Sequence, residues 1–114
     1  MEKYKVLLVE DDPLASQLIE IFINNSGRYT LEKSINSASM VGVYLIKNKI
    51  DLILMDVCTA FNANGLDAVE KIKKDYPDIK IIIIGATISL TNIFSNISRS
   101  HHVSNIRRNS TLAF

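Results

Sequence analysis

The sequence contains a single cysteine, Cys58, and no long apolar run. One cysteine excludes an internal disulfide bond and favours a reducing compartment. A membrane-spanning helix needs about 20 apolar residues, far more than the run around Ile81–Ile84 provides. The first apolar run ends in acids, unlike the apolar region of a signal peptide. We therefore expect a cytoplasmic protein with no membrane segment.

The chain also lacks a large net charge, because the formal value is only +1 over 114 residues. No acid follows Asp78, and the basic residues after it are few: Lys80, Arg99, Arg107 and Arg108. Four dispersed cations are too few for a convincing nucleic-acid surface, so we expect no direct nucleic-acid partner. The length fits one domain with one continuous core.

Short apolar runs alternate with helical patterns along the first three quarters of the chain. The runs predict strands over residues 6–9, 29–35, 51–55 and 79–84. Asp12 and Pro13 are typical of a helix start, Asn36 or Ser37 can cap a second helix, and a third begins near Gly65. Apolar strands separated by helices predict a doubly wound parallel α/β sheet.

Helical spacing also predicts which side chains face the core. In the first helix these are Leu14, Leu18, Ile21 and Phe22; in the second they are Met40, Val43, Tyr44 and, at the end, Lys47; in the third they are Leu66, Val69 and Ile72.

The composition changes after residue 85. Thirteen of the thirty residues from Gly85 onward are Ser, Thr or Asn. One helical pattern remains at residues 90–97, and residues 102–106 predict a weak edge strand. The segment after Arg108 is too short for a closing helix. An uncovered apolar sheet surface predicts self-association, with the C-terminal segment as the candidate contact.

Three acids follow the ends of predicted strands: Glu10 and Asp11 after the first, and Asp56 after the third. If these strands are neighbours, the carboxylates meet at one edge of the sheet, where ligands bind in open parallel sheets. Their repulsion favours a cation between them, and oxygen ligands suit Mg²⁺ with phosphate. The alternative is that Glu10–Asp12 cap a helix and Asp56 lies in a turn; for Asp12, capping is the favoured role.

The segments "KVLLVEDDP" and "DLILMD", followed by a Gly–Leu helix start, resemble the receiver domain of bacterial two-component response regulators. The resemblance implies a flavodoxin-like sheet of order 2-1-3-4-5, here with the fifth strand and last helix incomplete or irregular. It implies a single domain over residues 1–114, well matched over 1–86 and divergent over 87–114. It also implies that Asp56 accepts a phosphoryl group from a histidine kinase or phosphotransfer protein. Mg²⁺ would then be held by Glu10, Asp11, Asp56 and the backbone carbonyl of Cys58.

The chain departs from the family pattern at several positions. The segment after the acceptor reads "DVCTAFNANG", without the family's Met-Pro. Gly85 stands where the family has a hydroxyl residue, and Thr87 is a candidate replacement. No lysine matches the family's phosphoryl-binding position, for which Arg107, or else Arg108, is the candidate. The divergent tail is consistent with a truncated or frame-shifted receiver.

Three other functions remain open. A switch-defective, receiver-like interaction module would keep the fold without phosphorylation. The segment "LILMDVCTA" faintly resembles haloacid-dehalogenase-type phosphatases, but Cys58 replaces the second acid that their chemistry needs. Cys58 with His101 or His102 would make a thiol nucleophile and base, although nothing brings them together. We therefore expect a signalling module and not an enzyme.

Overall fold

The computed structural model describes residues 2–56 and 65–84, together with the backbone of residues 107–108 and 111–113. Strands and helices alternate through these ranges. In chain order they are β1 (Tyr4–Val9), α1 (Pro13–Asn24), β2 (Tyr29–Ile35), a 3-10 turn (Ala38–Met40), α2 (Val41–Lys47), β3 (Leu52–Asp56), α3 (Gly65–Asp75), β4 (Lys80–Ile84), β5 (Arg107–Arg108) and β6 (Thr111–Ala113). No helix of the described part is both long and apolar enough to cross a membrane.

The strands form one sheet in the order β2-β1-β3-β4-β6-β5. β1 is parallel to β2 and β3, and β3 is parallel to β4, so the flavodoxin-like order 2-1-3-4 is confirmed. Beyond β4 the sheet is irregular, because β5 and β6 are strands of two and three residues that pair antiparallel. The predicted helix at residues 90–97 and strand at 102–106 lie outside the described residues.

The apolar strands are buried on both faces, as their composition predicts. Alternate residues of β1 and β3 point to opposite sides of the sheet. Leu7 and Ile53 belong to the cluster that packs against α2 and α3. Leu8 and Leu54 belong to the cluster that packs against α1. The sheet is thus covered by helices on both faces. Polar groups can gather at the carboxyl ends of its parallel strands, which we call the carboxyl edge of the sheet.

The start of α1 agrees with the sequence prediction. Asp12 is the N-cap, with its Oδ1 accepting a hydrogen bond from the Leu14 N–H at 3.0 Å, and Pro13 occupies the first turn. Capping satisfies an amide that has no partner within the helix. Gly27 lies just beyond the end of α1 with φ of +83°, a left-handed conformation that glycine adopts without steric cost.

The predicted buried face of α1 was wrong for three of its four residues, and the fourth, Phe22, is half-buried. Leu14, Leu18 and Ile21 are 64, 48 and 57% exposed, and the buried residues of the helix are Ile19 and Ile23. The reason is that α1 carries apolar residues around most of its circumference. Two stripes with the same four-residue spacing are therefore available, and spacing alone does not choose between them.

The predicted face of α2 was also wrong for its largest aliphatic members. Met40 and Val43 are exposed, while Val41 and Leu45 are buried. Tyr44 packs against the core as expected. Two turns of helix provide too few positions to fix a hydrophobic period. In α3 the prediction held for Val69 and Ile72 but not for Leu66, which is 45% exposed.

Candidate functional site

The structure brings together Glu10, Asp11 and Asp56. Val9 pairs with Met55 in the register of β1 and β3, so the residues after Val9 lie beside the end of β3. Carboxylate oxygens of the three acids all lie within 4.8 Å of one another. Glu10 and Asp56 are half-buried, whereas Asp11 is exposed. The cluster therefore has a sheltered floor and one side open to solvent.

The turn that carries the acids is held by hydrogen bonds of its own. The Glu10 N–H donates to the Ile35 carbonyl at 2.9 Å, which extends the pairing between β1 and β2. The Asp12 N–H donates to Glu10 Oε2 at 3.1 Å. Because Asp12 also caps α1, its side chain serves the helix, and Glu10, Asp11 and Asp56 remain as the carboxylates of the cluster.

The cluster is electrostatically crowded. Burial raises the pKa of Glu10 above its ordinary value, and the negative charges of Asp56, Asp11 and Asp12 act in the same direction. The hydrogen bond from the Asp12 amide partly opposes this rise in pKa. Because carboxylates at this spacing repel one another, a cation bound among them relieves the repulsion.

The donor set fits a hard divalent cation. It offers three carboxylate oxygens and no sulfur or imidazole, which is the ligand chemistry that Mg²⁺ prefers. Mg²⁺ usually takes only one or two carboxylates from protein and keeps waters or phosphate oxygens for the rest of its octahedron. The exposed side of the cluster, at Asp11, leaves room for such ligands.

A cavity of about 380 Å³ adjoins the cluster and brings in a residue that sequence reasoning missed. Its lining includes Glu10, Asp11, Lys33 and Asn36. Lys33 lies in the middle of β2 and has no motif around it, so its place in the same cavity as two of the acids becomes visible only when β2 pairs with β1. It adds a cationic side chain to the lining of the cavity.

Of the remaining predicted site residues, Cys58, Gly85 and Thr87 are outside the described residues. The backbone of Arg107 lies in β5, the outermost strand, where it pairs with Leu112.

A single row of paired backbone residues runs across the sheet from Asp56 to the outermost strand, β5. Asp56 pairs with Ile84, Ile84 with Thr111, and Thr111 with Arg108. The backbone of Arg108, and not that of Arg107, is therefore in register with Asp56, three strands away. Ile84 is the last residue of β4, and Gly85, which follows it in the sequence, lies outside the described residues.

Comparison with known proteins is consistent with this arrangement. A family model described as the response regulator receiver domain matches residues 6–101. The chemotaxis protein CheY of Thermotoga maritima is 30% identical over 82 residues, which cover 72% of this chain and 67% of CheY. The probable C4-dicarboxylate response regulator DctR of Halalkalibacterium halodurans is 28% identical over 82 residues, but the match spans only 35% of its length.

Among solved structures, the receiver domain of the Erythrobacter litoralis PhyR response regulator superposes with a TM-score of 0.77. The superposition covers 96% of this chain and 98% of the PhyR domain, at 22% identity. That identity supports the fold, while the family model, which matches most of the chain, establishes membership. The chain belongs to the response regulator receiver domain family.

Proposed function

We propose that this protein is the phosphoacceptor receiver domain of a two-component phosphorelay. Asp56 takes a phosphoryl group from a phosphohistidine of a histidine kinase or phosphotransfer protein. The observation that carries the proposal is the convergence of Glu10, Asp11 and Asp56 at the carboxyl edge of the sheet. Family membership supports the same conclusion.

In the proposed reaction a carboxylate oxygen of Asp56 attacks the phosphorus of the phosphohistidine. An oxygen–phosphorus bond forms as the phosphorus–nitrogen bond breaks. The electron pair of the broken bond stays on the imidazole nitrogen, which leaves as neutral imidazole after gaining one proton from solvent. A carboxylate is a competent nucleophile for such transfer. Asp56 is the last residue of the buried strand β3, so its backbone is held in one position while the phosphohistidine approaches.

The chain's own residues divide the remaining tasks. Glu10, Asp11, Asp56 and the carbonyl of Cys58 are the proposed ligands of Mg²⁺, which when bound neutralises charge on the transferring oxygens. Hydrogen bonds to Ile35 and Asp12 hold Glu10 in place, so its carboxylate would be a fixed ligand for the cation. Thr87 and Arg107 remain the proposed contacts of the phosphoryl group.

The proposed setting is the cytoplasm, where the protein acts as a signalling module through protein contacts, without binding nucleic acid itself. Association of two copies is part of the proposal, with the C-terminal segment as the contact that the sequence suggests. The chain spans about a third of the DctR regulator that it matches, so any output belongs to a protein that this domain contacts or to which it is joined.

Incubation with acetyl phosphate tests the acceptor directly. We expect the intact mass to increase by one phosphoryl group when Mg²⁺ is present, and not when the cation is chelated. Asp56→Asn should abolish the increase, while Glu70→Gln, which removes an exposed charge on α3, should not. Unchanged labelling of Asp56→Asn would refute the assignment.

A second candidate is a receiver-like interaction module that is no longer phosphorylated. It is favoured by one observation: Asp56 pairs with Ile84, the last residue of β4. The residue that follows Ile84 in the sequence is Gly85, which has no hydroxyl to contact a phosphoryl group. In that case acetyl phosphate leaves the wild-type mass unchanged even though Mg²⁺ binds.

A further inference from the structure

The outer face of α2 carries an exposed apolar ridge. Met40, Val43 and Ile46 are 49, 74 and 72% exposed. They follow one another at a spacing of three residues along the 3-10 turn and α2, so they share one side of this segment. We call these three residues the α2 ridge. Single exposed apolar residues are ordinary on protein surfaces, but contiguous ones mark contact sites.

A groove runs beside the ridge, between α2 and α3. Its volume is about 440 Å³, and its lining includes Gly42, Ala68, Ile72 and Tyr76. We call these four residues the α2–α3 groove. A Cβ placed on Gly42 would meet no atom within 4 Å, so the groove has free space at this point. Most of its lining is small or apolar and can accept inserted aliphatic side chains, while Ser39, Lys71 and Asp75 add polar groups.

A ridge and a groove side by side on one chain are what a two-fold symmetric interface requires. In such an interface the same patch serves both copies, so each copy must present both the inserted group and its receptor. The α2 ridge and the α2–α3 groove meet at Val43 and Ile46, which line the groove as well as forming the ridge. Rotating a second copy by two-fold symmetry places the ridge of each in the groove of the other.

The charges around the groove indicate the direction of the second copy. α2 precedes β3 and α3 precedes β4, and these two strands are parallel. The last residues of the two helices, Lys47 and Asp75, line the same cavity. The two helices therefore run the same way. On the α3 rim Lys71 pairs with Asp75 at 3.2 Å, and Asp67 lies one turn before Lys71. An antiparallel second α2 brings its Lys47 to the amino end of α3, next to Asp67.

We propose that a second copy of this chain docks on this surface, with the two α2 helices antiparallel, each α2 ridge in the opposite α2–α3 groove and Lys47 facing Asp67 of the partner subunit. The surface consists of one short helix and the groove beside it, whereas a standard interface has roughly 20 to 30 residues on each side. The association is therefore weak and concentration dependent. It uses neither Asp56 nor the C-terminal segment, so it stands independently of the proposed phosphoryl transfer and is an alternative to the contact that the sequence suggests.

Sedimentation over a concentration series tests the surface. Wild type should show a reversible monomer–dimer equilibrium. Ile46→Glu places a charge on the α2 ridge, and Gly42→Leu fills part of the α2–α3 groove. Each variant should weaken the dimer by about tenfold or more, as expected for a central contact. The matched control is Ile21→Glu, which makes the same change at a 57% exposed position on α1 and should leave the equilibrium unchanged.

A charge exchange tests the direction. Lys47→Glu and Asp67→Lys should each weaken the dimer, and the double variant should restore it; circular dichroism checks that each variant is folded. A wild type that stays monomeric overturns the proposal and leaves the groove to a different protein. A dimer insensitive to the ridge and groove variants also overturns it and assigns association to another surface, such as the C-terminal segment. Acetyl phosphate labelling of the same variants should be unchanged, so a failure of phosphorylation with an intact dimer counts only against the proposed function.

Discussion

Replacing Asp56 with Asn removes one of the three charges at the carboxyl edge of the sheet while keeping the shape of the side chain. The amide retains a carbonyl oxygen that can accept hydrogen bonds. The main change is therefore electrostatic, and its sign depends on whether a cation is present. Without a divalent cation the variant should be more stable than wild type.

The expected gain follows from the spacing of the cluster. Two unit charges at the 4.8 Å limit of the cluster repel by about 0.9 kcal/mol in bulk water and about 3.5 kcal/mol at an effective dielectric constant of 20. Because the cluster is open on one side, the lower value is the better guide. Asp56 repels two neighbours, so its neutralisation relieves roughly 2 kcal/mol, which physiological salt reduces to about 1 kcal/mol.

With Mg²⁺ the order should reverse. A ligand at one hundred times its dissociation constant stabilises the folded state by about 2.7 kcal/mol. Wild type should gain this stabilisation, and Asp56→Asn, with one proposed ligand lost, should gain much less. The crossing of the two stabilities between chelated and Mg²⁺-saturated buffer is the characteristic result.

Urea unfolding followed by circular dichroism, with EDTA or with saturating Mg²⁺, measures both effects. The control Glu70→Gln removes an exposed charge from α3 and should change stability by less than about 0.5 kcal/mol in either buffer. Destabilisation by Asp56→Asn in EDTA would contradict the repulsion argument. An equal gain from Mg²⁺ in wild type and variant would contradict the ligand assignment.

Three further predictions concern the scaffold. Asp12→Ala removes the hydrogen bond from the Leu14 N–H and should lower the free energy of unfolding by about 1 kcal/mol. In a urea titration Asp12→Asn should retain most of that stability. The stabilisation by Mg²⁺ should be the same in both variants. Leu45→Ala should cost roughly 2 to 5 kcal/mol, whereas Val43→Ala, 74% exposed, should cost less than about 0.5 kcal/mol; equal losses would contradict the observed face of α2. Burial raises the pKa of Tyr29 from 10.0 to about 12, so the folded state favours the neutral phenol. The stability that this provides is complete below pH 10 and is lost as the pH rises through 12. That shift corresponds to at most about 2.7 kcal/mol, and solvent screening reduces the expected loss to roughly 1 kcal/mol; Tyr29→Phe should lack this part of the alkaline loss in unfolding measured from pH 9 to 12.

The carboxyl edge of the sheet could be predicted because its determinants are local. Apolar runs that end in Glu10 and Asp56 identify buried parallel strands, and parallel strands align their carboxyl ends. The role of Asp12 was predictable for the same reason, because an acid before Pro13 is typical of a helix cap. Only the neighbour relation of β1 and β3 had to come from the family resemblance or from the structure.

The helix faces and the wall of the cavity could not be predicted, because they depend on tertiary contacts. In α1 the stripe of Ile19 and Ile23 and the stripe of Leu14 and Leu18 have the same spacing, and only packing against the sheet decides which is buried. Lys33 lines the same cavity as Glu10 and Asp11 because strands far apart in sequence pair with each other. No local pattern marks such a position.

The most direct test of the central claim is ¹⁹F NMR of the protein with beryllofluoride, an analogue of the phosphoryl group, in the presence and absence of Mg²⁺. If Asp56 is the acceptor beside a cation held by Glu10 and Asp11, bound fluorine resonances should appear only with Mg²⁺ and should be absent from Asp56→Asn. A wild type with no bound resonances, or a variant with the same resonances as wild type, would contradict the account.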